Sequence, residues 1–171
     1  MRTLVLGLGN EYAGDDAVGV LAARALAPEL DGVADVVESA ASGLALLEVF
    51  QGYDHAVVLD SICTGRRPPG TVLELGLADL GPVAAPSLHQ AGIPEMAAVA
   101  ARLGLGFPAR TRVLAVEVAI PPTFGEPLSA EVGAAVEPLR RRVREQVERW
   151  ARAPAEPEGE LGGAACTSTT R

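Results

Sequence analysis

Lysine is absent from this 171-residue chain: its 14 basic residues are all arginine, set against 22 acidic ones for a formal net charge of -8. Without lysine there is no P-loop, whose phosphate cradle needs that side chain. The acidic balance repels polyanions and excludes broad, non-specific binding of DNA or tRNA. Aromatic residues make up only 4% (three Phe, two Tyr, one Trp), so the core must be built from Val, Leu, Ala and Ile. The two cysteines, Cys63 and Cys166, lie far apart and form neither a CxxC pair nor a disulfide framework. Reduced thiols and a cytoplasmic setting are therefore expected. No stretch reaches the roughly 18 to 20 apolar residues of a membrane span. The apolar opening Met1–Leu8 is too short for a signal-peptide core and is broken at once by Gly and Asn.

The composition that remains, 49% hydrophobic and 21% charged, is that of an ordinary globular protein, and the length suits one core. Apolar runs predict strands over residues 2–8, 33–38 and 56–60, a more exposed strand over 71–75, and another over 111–118. Helices are expected over 16–26, 42–50, 89–103 and 129–151, the last carrying Arg140, Arg141, Arg142, Arg144 and Arg149 on its outer faces. Beyond residue 152 the composition turns to Pro, Glu, Gly, Ser and Thr, which predicts a disordered tail over 153–171 behind a single domain, 1–152. Alternating strands and helices of these lengths imply an α/β three-layer sandwich (phosphorylase/hydrolase-like). Its twisted, mostly parallel five-stranded sheet carries helices on both faces.

In such sheets ligands bind outside the carboxyl ends of the strands. Two loops are thereby marked: Asn10–Asp16 after the first strand, and the segment that begins at Asp60. The first has a glycine-rich start, yet GLGNEYAG is not GxGxxG, and adjacent carboxylates at a helix start would compete with a phosphate for the same dipole. Asp15 and Asp16 can equally cap that helix or serve a site. Asp60, at the end of an apolar strand, is either a structural acceptor or a site residue. His89 is one of two histidines; the other, His55, sits in Tyr-Asp-His and reads as a surface residue in a turn at the opposite end of the sheet. Taken together, Asp16, Asp60 and His89 come from three loops that should converge at one end of the sheet. Two carboxylates and an imidazole suit a borderline divalent metal such as nickel or zinc, with positions left open.

On these residues the chain resembles the NiFe-hydrogenase maturation endopeptidases. LVLGLGNEYAGDDAVGV (Leu4–Val20), VVLDSICTGRRPPGTV (Val57–Val72), SLHQAGIPEMAAVA (Ser87–Ala100) and VEVAIPPTFGEPLSAEVGAAVEPL (Val116–Leu139) follow the family's order across roughly residues 2–150. The resemblance implies an aspartyl-type, metal-binding triad of Asp16, Asp60 and His89, and cleavage of a C-terminal extension from a hydrogenase large-subunit precursor. It also implies that nickel comes with that substrate, so that the resting enzyme need hold no metal. Where many members carry an Asp-Gly-Gly-Thr-type segment after the second strand, this chain has Glu38-Ser-Ala-Ala-Ser-Gly43, which keeps small residues but loses backbone freedom. For the proton-removing step, either metal polarisation or a carboxylate such as Asp15 or Asp16 is open; a Cys63–His89 nucleophile pair is a minor reading. Rival readings are a non-catalytic protein that holds the immature subunit or nickel, and a peptidyl-tRNA hydrolase-like esterase. The second shares the Gly-x-Gly-Asn opening but is disfavoured by the acidic charge.

Overall fold

Strands whose side chains alternate between two apolar faces need a helical layer on each, and the chain supplies both. The computed structural model describes residues 1–80, 93–119 and 124–152. Its elements run β1 (Thr3–Leu8), α1 (Val18–Leu26), β2 (Asp35–Ser39), α2 (Leu47–Phe50), β3 (His55–Ile62), β4 (Val72–Gly76), α3 (Ile93–Leu103), β5 (Arg110–Glu117) and α4 (Ala130–Arg152). A 3-10 turn over Gly14–Ala17 leads into α1, and another over Gly43–Leu46 leads into α2. The strands form one sheet in the order β2-β1-β3-β5-β4. All pairings are parallel except β4 with β5, which is antiparallel.

One core layer packs α1 and α4 against Val5, Val57, Leu59, Leu114 and Val116. The opposite layer packs α2 and α3 against Leu4, Leu6, Ala56, Val58, Ile62, Val113 and Ala115. The odd and even positions of each strand thus serve different helices, which fixes the register, because a one-residue slip would exchange the two faces. α1 lies close on the sheet because Gly19 has no Cβ. One built there would sit 2.3 Å from the Leu8 carbonyl oxygen and 2.4 Å from that of Leu59.

The fold class expected from the sequence is the one observed. Four local readings are corrected. β3 does not end at Asp60 but continues to Ile62, since Ser61 and Ile62 pair with Val116 and Glu117 of β5. The second helix is a 3-10 turn followed by four α-helical residues rather than one nine-residue helix. His55 is not on the surface: it is 5% exposed, opens β3, and stacks on Trp150 with ring centroids 4.8 Å apart. On α4, Arg140 and Arg144 are part-buried and bind the Glu29 and Glu137 carboxylates, so they are not simply outward-facing. The tail expected over 153–171 lies outside the described residues. Among the described residues no helix is long and apolar enough to cross a membrane.

Candidate functional site

With β2 and β3 on either side of β1, the chain reverses its direction of winding at β1, and the carboxyl ends of β1 and β3 open side by side. The loop after β1 is folded tightly. Gly9 has φ +134°, and a Cβ there would lie 2.0 Å from the Asp16 carbonyl oxygen, so only glycine lets the loop double back beneath Asp16. The Asn10 side-chain oxygen accepts the Tyr12 N–H at 3.0 Å, an Asx-type turn. The Asn10 N–H in turn donates to Asp16 Oδ2 at 2.8 Å.

Asp16 is reached from β3 as well. Ser61 Oγ donates to Asp16 Oδ1 at 3.0 Å, and the Ser61 N–H donates to Asp60 Oδ1 at 2.8 Å. One residue therefore bridges the two carboxylates. By strand alternation Ser61 shares the α1 face with Val57 and Leu59, whereas Asp60 shares the α3 face with Ala56, Val58 and Ile62. Asp60 is fully buried and Ser61 is 6% exposed. Sequence reading overlooked Ser61; a hydroxyl beside the carboxylate of an otherwise apolar strand was the available signal.

The structure separates Asp15 from Asp16. No side chain caps the turn before α1 or α1 itself. Asp15 instead accepts the Ser129 N–H at 2.7 Å on one oxygen and the Ser129 hydroxyl at 2.9 Å on the other, which anchors the start of α4. His89 lies outside the described residues. In sequence it precedes α3, the helix on the face that Asp60 shares. Among the described residues no three His, Cys, Asp or Glu side chains gather as a metal set; what they contribute is the carboxylate pair on Ser61. Oxygen donors of this kind can supply part of a borderline cation's shell, which an imidazole would complement. Cys63 is exposed with a free thiol, its Sγ 3.9 Å from the Ala119 carbonyl oxygen.

On the β2 side of the loop after β1 lies an open cleft of about 200 Å³, lined by Gly9–Tyr12, by Val20 and Arg24 of α1, and by Glu38, Ser39 and Ala40 at the end of β2. Arg24 ties its two sides. Its guanidinium donates to Glu38 Oε2 at 2.6 Å and to Glu11 Oε2 at 3.1 Å. Hydrogen bonds to Glu38 and then Glu11 raise the arginine pKa well above its ordinary value. Glu38, at the head of the segment that departs from the Asp-Gly-Gly-Thr pattern, is thus held against α1.

Comparison with known proteins agrees with this architecture. The family model for HycI, hydrogenase maturation protease, matches residues 18–146, a range that includes Asp60 and His89 and begins just after Asp16. The hydrogenase 2 maturation protease of Escherichia coli K12 is 29% identical over 148 residues, covering 84% of this chain and 88% of that protein. The hydrogenase expression/formation protein HupD of Rhizobium leguminosarum bv. viciae is 31% identical over 168 residues, covering 92% and 80%. Among solved structures, the hydrogenase maturating endopeptidase HybD of E. coli superposes with a TM-score of 0.73 at 25% identity, covering 88% of this chain and 94% of that one. This removes the peptidyl-tRNA hydrolase reading. By the extent of the family match and the identity to HupD, the chain belongs to the hydrogenase maturation proteases.

Proposed function

We propose that this protease removes the C-terminal extension of a nickel-loaded NiFe-hydrogenase large-subunit precursor in the cytoplasm, with Asp16, Asp60 and His89 receiving the nickel that the substrate carries. The observation that carries the reading is the bridge Asn10–Asp16–Ser61–Asp60, which holds two carboxylates together at the carboxyl ends of β1 and β3. Carboxylates fixed in this way are donors for a divalent ion whose other positions are filled by the substrate's own ligands.

Docking of that ion orients the scissile bond along the cleft beside Asn10 and Ser39. Water then adds to the peptide carbonyl carbon, its proton passes to a carboxylate, and the C–N bond breaks as the leaving nitrogen takes up a proton. Asp15 is turned to Ser129 and anchors α4, whereas Asp16 is joined through Ser61 to Asp60, so Asp16 is the carboxylate of this loop placed to hold the transferred proton.

The test is the intact mass of the matching precursor, with and without loaded nickel, after incubation with the protease. Nickel-dependent loss of a short C-terminal peptide is expected, and Asp60→Asn or Asp16→Asn, which keep the side chain's shape and an accepting oxygen, should abolish it in protein that remains folded. An uncut, loaded precursor would refute the reading in favour of a binding-only protein. Full activity of either folded variant would remove that residue from the site.

A further inference from the structure

This chain has six aromatic residues, and four of them are packed. Phe50 and Phe107 meet at 4.9 Å, Trp150 stacks on His55, and Tyr53 lies under the Arg2 guanidinium. The other two are almost bare: Tyr12 is 69% exposed and Phe124 is 71% exposed. They come from segments far apart in sequence, yet the Gly125 N–H donates to the Tyr12 carbonyl at 2.8 Å, so a backbone hydrogen bond joins the two segments. Tyr12 lines the cleft, and Phe124 follows β5 at the same end of the sheet. Acids flank both: Glu126 after Gly125 is exposed, and Glu11 before Tyr12 shares Arg24 with Glu38, which leaves that end of the cleft with a net negative charge.

Exposed aromatic side chains lose apolar surface to water unless something covers them, and paired aromatics are the usual anchors of protein interfaces. In a protein this poor in aromatics, two exposed rings on segments joined by a backbone hydrogen bond stand out as apolar surface beside the cleft. Resting on the substrate reading above, we propose that Tyr12 and Phe124 form an exosite for the folded body of the precursor, apart from the tail that enters the cleft. The acidic flanks specify the other side: an apolar socket with arginine or lysine at its rim. The patch would hold the body of the subunit while the nickel and the tail reach Asp16 and Asp60, and so favour a folded precursor over a free peptide.

The test uses the full-length protease and the nickel-loaded precursor in two measurements: the dissociation constant by calorimetry and the steady-state cleavage rate. Tyr12→Ala and Phe124→Ala should each weaken binding by about tenfold, the double variant by more, with the loss in cleavage falling on KM. Leu103→Ala, which removes another exposed apolar side chain (67%) at the end of α3, should bind as the parent does. Because both aromatic side chains are exposed, melting temperatures should stay within about 1 °C, given that surface changes usually cost little. Affinity of the double variant within twofold of the parent, or an equal loss in Leu103→Ala, would overturn the proposal. Precursor that binds wild type but stays uncut would refute the cleavage reading, while the binding comparison would still decide the exosite.

Discussion

Glu117, the last residue of β5, is 1% exposed, and it organises the loop that leaves β3. Its Oε1 accepts the Thr64 N–H at 2.7 Å and the Gly65 N–H at 2.8 Å, and its Oε2 accepts the Thr64 hydroxyl at 2.7 Å. Its backbone meanwhile exchanges hydrogen bonds with the following turn, from Gly70 N–H and to Thr71 carbonyl. In Glu117→Ala the backbone bonds remain, but two amide N–H groups lose a charged acceptor. Each such loss costs about 1 to 3 kcal/mol when the donor stays dry. The exposure of Gly65 lets water recover part of it, and removal of a buried charge relieves its desolvation. A net loss of about 3 kcal/mol follows, or roughly 6 to 12 °C in melting temperature for a chain of this size. Glu117→Gln is the informative partner. Its amide oxygen can keep both N–H bonds, and the Thr64 hydroxyl can rotate to accept from the new NH₂ group, so only charge assistance is lost, about 1 kcal/mol. Urea unfolding of the three proteins, read at constant m-value, checks both figures. An alanine variant within about 0.5 kcal/mol of the parent, or a glutamine variant as damaged as alanine, would refute the assignment of Glu117 as the clasp of this loop.

Ser61→Ala removes the hydroxyl that Asp16 receives from β3, and should lower kcat/KM for the loaded precursor by about tenfold while costing only about 1 kcal/mol of stability; steady-state cleavage with a parallel melting curve checks it. Burial, and then the charge of Arg110, hold the His55 pKa below its ordinary 6.5. The folded state therefore resists the proton that the unfolded state accepts. Stability should be full above pH 6.5 and fall as the solution is acidified from there toward the folded-state pKa. That component should vanish in His55→Phe, as denaturation curves at pH 7 and pH 5 would reveal. Gly19→Ala places a methyl carbon against two strand carbonyls at 2.3 and 2.4 Å, a clash that its gain in helix propensity of about 1 kcal/mol does not offset. A net loss of about 2 kcal/mol or more is expected in urea, and an unchanged midpoint would mean that α1 can lift from the sheet freely.

Why the fold was legible and parts of the site were not can be argued from the same residues. β1, β3 and β5 are buried on both faces, so they appear as apolar runs, and α4 announces itself by a stripe at Val132, Leu139, Val143 and Val147. These signals are local, and they fixed the order of elements and hence which loops share an end of the sheet. That was enough to single out Asp16 and Asp60 as neighbours; His89, the third candidate, lies outside the described residues. Partner choice, in contrast, is long-range. Asp15 and Asp16 are adjacent and chemically identical, yet one turns to Ser129, 114 positions away, and the other to Ser61, 45 away. No local pattern distinguishes them. His55 read as a turn residue because its cover, Trp150, comes from the far end of α4.

The boundary of β3 has a similar origin and a larger consequence. An aspartate normally interrupts an apolar strand, but pairing with β5 carries the ladder to Ile62, two residues past Asp60. Had the strand stopped at Asp60, Ser61 would belong to a loop free to point anywhere. Because it remains in the ladder, alternation sends its hydroxyl to the α1 face, where Asp16 waits, and leaves Asp60 on the α3 face. The carboxylates therefore approach from opposite faces of one strand end, and the rigid element between them sets their separation. The pairing with β5 and the Ser61 hydrogen bonds are what position the two groups. Such anchoring would suit the proposed role, in which the metal arrives with each substrate and leaves with it.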